Sequence, residues 1–132
     1  MDHDYVLVLR TCKSDMSAHG GFVWPASGPV EAPDWNAQPT CGGGLHGLLW
    51  GEGDSSLLDW SKDAIWLAVR VHADTIIDLA GKVKFPAGKV MCCGDRATVT
   101  AYIAMNGGHG RLIHGGTATA GDWGTATAGD YG

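Results

Sequence analysis

Residues 40–54, TCGGGLHGLLWGEGD, restrict how this chain can fold more than any other stretch, because six of the fifteen residues are glycine. Glycine loses more backbone freedom on folding than any other residue, so a dense cluster indicates positive φ angles or close backbone approach. Neither a regular helix nor a regular strand suits that composition. We therefore predict an ordered, held loop, in which Cys41 and His46 are the candidate catalytic residues.

The segments on either side of this loop favour a small β-rich head. Asp54 or Ser55 is a typical helix N-cap and predicts one short amphipathic helix. Residues 82–85 and 89–93 flank Pro-Ala-Gly, a pattern typical of a β-hairpin. Runs of apolar and β-branched residues predict further strands at 5–10, 22–24, 66–72, 75–79 and 97–103.

The charged and sulfur-bearing residues of this head suggest no metal centre. Lys82 and Lys84 share one face of the predicted hairpin, which we interpret as solvated. Cys92 and Cys93 are adjacent on a predicted strand and point to opposite faces, so they cannot both ligate one ion. We therefore predict neither a metal site nor a cofactor.

Charge and hydropathy exclude several classes of partner. The net charge is −5 and the nine Lys and Arg residues are scattered, which argues against nucleic-acid binding. The N-terminus lacks the pattern of a signal peptide, and no apolar run approaches the roughly 18 residues of a membrane helix. We expect a cytoplasmic protein without a membrane partner.

The composition changes at residue 106. The unit GTATAGD plus an aromatic residue occurs at 116–123 and again at 124–131. Strict repetition predicts the start of a β-solenoid or β-roll, with small alanines inside and Gly-Asp corners. The predicted division is a head at 1–105 and a repeat segment at 106–132. Because an exposed strand edge recruits another strand, we expect a homo-oligomer that forms through this tail, and a protein partner besides.

The predicted fold class is α+β and mostly β: a β-rich head with one short helix, followed by the start of the β-solenoid. Exposed tryptophans mark binding faces, which makes Trp50 and Trp123 candidate binding residues. The repeat threonines lie on one face of their strands, where an array can order water. We interpret that array as structural, since threonine favours strands. Its members, also candidate binding residues, are Thr117, Thr119, Thr125 and Thr127.

Two sets of motifs resemble known families. CGGGLHGLLWG, WLAVRV, IIDLAGKVKFPAGKV and CGD, followed by TATAGD, resemble an uncharacterised bacterial and phage family with a small β-rich head and a Thr/Ala/Gly/Asp repeat tail. This resemblance covers residues 6–103 in the head and implies an architecture and a prophage setting, but no activity. The repeat separately resembles the Thr-x-Thr repeats of ice-nucleation proteins, whose period is twice as long.

Two functions remain open at this point. The first is a non-enzymatic interaction or assembly module that self-associates through the C-terminal repeat. The alternative is a small enzyme or ligand-binding protein in which Cys41 is a nucleophile and His46 its base. A variant of the alternative is an ADP-ribosyltransferase-like protein, because Leu45-His46-Gly47 resembles the His-Gly of that fold's first strand. An open pocket with an acidic partner on His46 would favour the alternative.

Overall fold

One open antiparallel sheet of seven strands forms the centre of the molecule. The structure is a computed structural model, and it describes residues 4–116 except for the side chain of His19. The strands are β1 Tyr5–Cys12, β2 Gly28–Glu31, β3 Leu45–Leu49, β4 Ile65–His72, β5 Ile77–Asp78, β6 Val83–Phe85 and β7 Ala87–Gly94. Their order in the sheet is β2-β7-β4-β1-β3-β6-β5, and one α-helix, α1 (Arg96–Ile103), follows the last strand. The mostly β fold with one helix is therefore confirmed. The repeat units of the predicted solenoid, after Gly116, lie outside the described residues.

The central pair, β1 and β4, is buried on both faces. Its eight-residue register runs from Tyr5 opposite His72 to Cys12 opposite Ile65. Successive side chains of a strand alternate between faces, so the continuous apolar sequences of both strands contribute side chains to two hydrophobic cores, one on each face of the sheet. One core contains Val8, Val69 and Phe85, and the other contains Leu9, Trp66 and Ile103.

Residues 97–103 form a helix and not the predicted strand. The alternation in ATVTAYI also satisfies helical spacing, because Val99 and Ile103 are four residues apart and both are buried against the second core. The Asp95 side chain accepts a hydrogen bond from the Thr98 N–H and caps the helix. Cap and tertiary packing therefore override the strand propensity of the β-branched residues.

The predicted hairpin across Pro86 is wrong, because β6 and β7 do not pair with each other. β6 pairs with β3 and β5, whereas β7 pairs with β4 and β2. The Pro86 carbonyl accepts from the Ala32 N–H at 2.8 Å, as the chain crosses from one side of the sheet to the other. Partners distant in sequence thus outweigh a strong local turn signal.

Three shorter elements also differ from prediction. Residues 22–24 contribute only a bridge between Ser17 and Val23, although the neighbouring Trp24 is buried. The predicted amphipathic helix is one 3₁₀ turn, Ser55–Leu57, whose Asp54 cap accepts from the Ser56 N–H as expected. Residues 75–79 supply only the two-residue edge strand β5. Within residues 4–116, no helix has the length and apolar character needed to cross a membrane.

Candidate functional site

A cleft of about 560 Å³ opens where β3 separates from β1, and the glycine-rich stretch forms much of its wall. The two strands pair only at Val8 opposite Leu49 and Leu9 opposite Leu48. Gly47 permits this close approach, since a Cβ there would lie 2.4 Å from Val8 Cγ1. The polar and aromatic lining includes Arg10, Trp24, Asp34, Cys41, His46 and Lys82.

His46 holds the glycine-rich loop through its ring. Its Nε2 accepts a hydrogen bond from the Gly42 N–H at 3.3 Å, and its carbonyl accepts one from Arg10 Nη1 at 3.0 Å. Burial, followed by the charges of Lys82 and Arg10, lowers the pKa of His46 to about 4. The neutral ring therefore serves as an acceptor for the loop backbone, so its lone pair is not free for a general base.

Cys41 is paired with a lysine. Lys82 Nζ donates to Cys41 Sγ at 3.0 Å, and Cys41 is exposed. This hydrogen bond and the charge of Lys82 lower the pKa of the Cys41 thiol. Both predicted candidates, Cys41 and His46, line the same cleft. Lys82 was not among the predicted site residues, because it lies 41 positions from Cys41 and no local sequence pattern links the two.

Lys84 is fully buried, which contradicts the solvated face predicted for Lys82 and Lys84. Its Nζ donates to the Gly42 carbonyl at 3.0 Å and lies 5.6 Å from the ring centroid of Trp35. The loop needs glycine at position 43, where φ is +63° and a Cβ would lie 2.6 Å from Asn36 Cβ. Backbone contacts from His46 and Lys84 therefore fix the loop at Gly42.

A second cluster joins the turn after β3 to the segment C-terminal to α1. Arg111 Nη1 donates to Glu52 Oε1 at 3.1 Å and its guanidinium lies 5.0 Å from the Trp50 ring centroid. His114 is bound at its ring, with Nε2 2.8 Å from the Gly53 carbonyl, and its N–H donates to the Gly51 carbonyl. Residues 106–116 therefore pack on the head as far as the structure describes them.

The other predicted site residues have mixed outcomes. Trp50 is half-buried beneath Arg111, and its role in binding stays a prediction. Trp123 and the four repeat threonines lie outside the described residues. Cys92 packs toward the second core and Cys93 toward the first, on opposite faces as expected. In the part of the chain from residue 4 to 116, no group of three or more His, Cys, Asp or Glu residues could hold a metal.

Comparison with known proteins gives one family and a consistent group of relatives. A family model described as "Domain of unknown function (DUF7666)" matches residues 6–105. An ice nucleation protein of Pseudomonas syringae pv. syringae is 43% identical over 106 residues, which are 79% of this chain and 9% of that protein. Ice nucleation protein InaU of Pantoea ananas is 40% identical over 105 residues, 78% of this chain and 10% of that protein. No solved structure matches this chain.

These relatives overturn several predictions. They are bacterial ice nucleation proteins. This contradicts the predicted self-associating cytoplasmic module and the alternative of a small enzyme or ligand-binding protein that uses Cys41 and His46. It also contradicts the predicted phage setting. The cytoplasmic location is likewise wrong, since it rested on missing sequence signals in a chain that spans about a tenth of these relatives. Oligomerisation is consistent with the relatives, whereas the expected absence of a membrane partner is not supported.

The predicted membership in a bacterial family of unknown function is confirmed, while the two-part division at residue 105 stays a prediction. The family model covers most of the chain, including all seven strands except the first residue of β1. This chain therefore belongs to the family described as a domain of unknown function, DUF7666.

Proposed function

We propose that this chain acts as the head of an ice-nucleating protein and holds the first repeats in a fixed position. The relatives named ice nucleation proteins support the proposal, because they match about 79% of this chain at about 40% identity. The match is only about a tenth of their length, so the head is a small part of such a protein. Its contribution is then to organise the repeats that come after it in the chain.

The observation that carries this proposal is the packing of residues 106–116 on the head. Arg111 of this segment forms an ion pair with Glu52 in the turn after β3. The backbone N–H of His114 donates to the Gly51 carbonyl, and the His114 ring is hydrogen-bonded to the Gly53 carbonyl. Gly115 lies against Trp66, where a Cβ would approach within 2.6 Å of the ring. The chain therefore leaves the head at a defined place and direction, directly before the first GTATAGDW unit.

A fixed exit matters because one repeat cannot bury a core by itself. Repeats stabilise one another through neighbouring interfaces, and the terminal unit needs a cap. On this proposal, residues 1–105 are the cap and residues 106–132 begin the repeat. On this proposal Thr117, Thr119, Thr125 and Thr127 stay candidate binding residues of the repeat.

A chimera tests the proposal. This chain replaces the matching segment of the Pseudomonas syringae ice nucleation protein, and the freezing temperature of dispersed water droplets is measured. We expect the chimera to freeze droplets at the temperature of the parent protein. Gly107→Ala in the chimera, which pushes the segment away from Trp50, should lower the freezing temperature.

Gly110→Ala is the matched control, because Gly110 also has a positive φ but open space around its Cα. This variant should freeze droplets like the unmodified chimera. Circular dichroism confirms that each chimera is folded. Arg111→Glu is a second variant, which removes the ion pair with Glu52 without introducing the clash against Trp50. The proposal is wrong if folded Gly107→Ala and Arg111→Glu chimeras both nucleate ice as well as the Gly110→Ala control.

A further inference from the structure

Cys41 and Lys82 form a side-chain pair that the proposed function does not use. Lys82 Nζ donates to Cys41 Sγ at 3.0 Å, and the two residues are 41 positions apart in the chain. Cys41 is exposed, so a small oxidant in solution reaches its sulfur directly. The pair therefore places an amine in contact with an accessible thiol.

The fold holds both members of this pair. Next to Cys41, the backbone of Gly42 makes two hydrogen bonds. The Gly42 N–H donates to the His46 ring, and the Gly42 carbonyl accepts from Lys84. On the other side, the Lys82 carbonyl accepts from the Leu79 N–H at 2.8 Å in the turn between β5 and β6. The contact therefore joins two anchored backbone segments and does not depend on a mobile chain end.

We propose that Cys41 and Lys82 become linked by a covalent sulfur–nitrogen bond, a sulfenamide, when the protein meets a hydroperoxide. The chemistry has two steps. In the first, the Cys41 thiolate attacks one peroxide oxygen and the O–O bond breaks. The departing hydroxide takes a proton from the Lys82 ammonium and leaves as water. Sulfur is oxidised to sulfenic acid, the peroxide is reduced, and Lys82 is left as a neutral amine.

In the second step, the Lys82 nitrogen attacks the sulfur and the S–O bond breaks. The released hydroxide combines with a proton of the amine, so a second water leaves and the S–N bond remains. The sum is one thiol, one amine and one hydrogen peroxide, which give one sulfenamide and two waters. A thiol reductant reverses the reaction by attacking the sulfur and releasing the amine.

The surroundings select these two residues over their neighbours. A thiolate is the reactive form of cysteine, and the Lys82 hydrogen bond favours it by lowering the Cys41 pKa. Burial instead raises the pKa of Cys12, Cys92 and Cys93, which makes them poor nucleophiles. Lys84 is occupied with the Gly42 carbonyl, so Lys82 is the amine that reaches the oxidised sulfur.

Peptide mapping by mass spectrometry tests this inference on the full chain. The protein is treated with one equivalent of hydrogen peroxide and digested without reductant. We expect a cross-linked peptide that contains Cys41 and Lys82 and has lost two hydrogen atoms relative to the two free peptides. Dithiothreitol should restore both free peptides.

Lys82→Arg is the informative variant, since a guanidinium keeps the positive charge and an N–H donor but has no deprotonated amine. In this variant we expect dimedone, which traps sulfenic acid, to label Cys41, whereas wild type escapes labelling. Cys92→Ser serves as the control and should still form the link. Dimedone labelling of wild type equal to that of Lys82→Arg, or a Cys41 link that persists in Lys82→Arg, would overturn the inference, as would an additional oxygen atom in the link.

Discussion

The indole of Trp50 lies directly against the backbone of Gly107, where a Cβ atom would come within 2.7 Å of ring atom Cη2. Both residues have positive φ angles, +57° at Trp50 and +118° at Gly107. Such an angle is uncommon for a residue with a side chain, so the fold retains a strained conformation at Trp50 to make this contact. The contact fastens the segment after α1 to the turn after β3.

Gly107→Ala tests how much the contact between Trp50 and Gly107 contributes to stability. The added methyl group meets the Trp50 ring and also disfavours the positive φ, so we expect a loss of about 2–3 kcal/mol in the free energy of unfolding. Urea unfolding monitored by tryptophan fluorescence measures this loss. Gly110→Ala has the φ strain without the clash and should cost about 1 kcal/mol. Equal losses in the two variants would show that the Trp50 contact contributes nothing.

Lys84 provides a second test, because a fully buried ammonium is unusual. Lys84→Met keeps most of the apolar stem but removes the donor to the Gly42 carbonyl. We expect this change to lower the free energy of unfolding by about 1.5–3 kcal/mol, the usual contribution of a hydrogen bond from a charged donor. Lys82→Met, which removes a donor to an exposed sulfur, should cost clearly less.

A stable Lys84→Met variant would contradict this expectation. It would mean that the desolvation cost of the buried ammonium exceeds the energy of its hydrogen bond and of its contact with Trp35. Proteolysis of the glycine-rich loop supplies a second measurement. The protease should not require lysine for cleavage, and thermolysin is one example. Its cleavage near Leu45 should become faster in Lys84→Met if the loop is no longer held by the hydrogen bond to the Gly42 carbonyl.

The central strands could be predicted from sequence, whereas their neighbours could not. β1 and β4 are long apolar runs, and burial on both faces leaves them no alternative structure. For residues 97–103 the local pattern fits both a strand and a helix, and packing of Val99 and Ile103 decides the matter. The Pro-Ala-Gly signal fails because β6 and β7 each find better partners far away in sequence.

The site could be predicted only in part, for the same reason. Glycine density identified the loop, and Cys41 and His46 do line one cleft. The partners that determine their chemistry, Lys82 and Arg10, come from other strands and turns, so only the sheet order brings them together. A sequence pattern indicates which residues are unusual, but their hydrogen-bond partners depend on topology.

The ion pair between Arg111 and Glu52 should contribute little by itself. Their side chains are 42% and 45% exposed, so we expect a coupling energy of about 0.5–1 kcal/mol. A double-mutant cycle with Arg111→Ala and Glu52→Ala measures it by urea unfolding. The coupling should shrink when salt is raised, because exposed charges are screened. A coupling that salt leaves unchanged would contradict an interaction between Arg111 and Glu52 that depends mainly on their charges.

Because the pKa of His46 is lowered in the fold, the fold loses stability as the pH falls. Above pH 6.5 the ring is neutral in both the folded and the unfolded chain, so His46 contributes its full stabilisation. Between pH 6.5 and about 4 the unfolded chain takes up a proton that the folded chain excludes. Stability therefore falls as the pH falls through this window, by about 1–2 kcal/mol after discounting for the half-exposed ring.

His46→Gln should make the free energy of unfolding less dependent on pH in this window, because glutamine does not titrate. Its carbonyl can still accept a hydrogen bond from the Gly42 N–H. Urea unfolding at pH 6.5 and pH 5 isolates the effect. The carboxyls of Asp54, Asp59 and Asp95 each accept a hydrogen bond from a nearby backbone N–H, and their pKa values lie below the usual range. If His46→Gln loses as much stability as wild type between these two pH values, the half-exposed imidazole of His46 is not the group whose protonation destabilises the fold, and Lys84 must be the main contact that holds the loop.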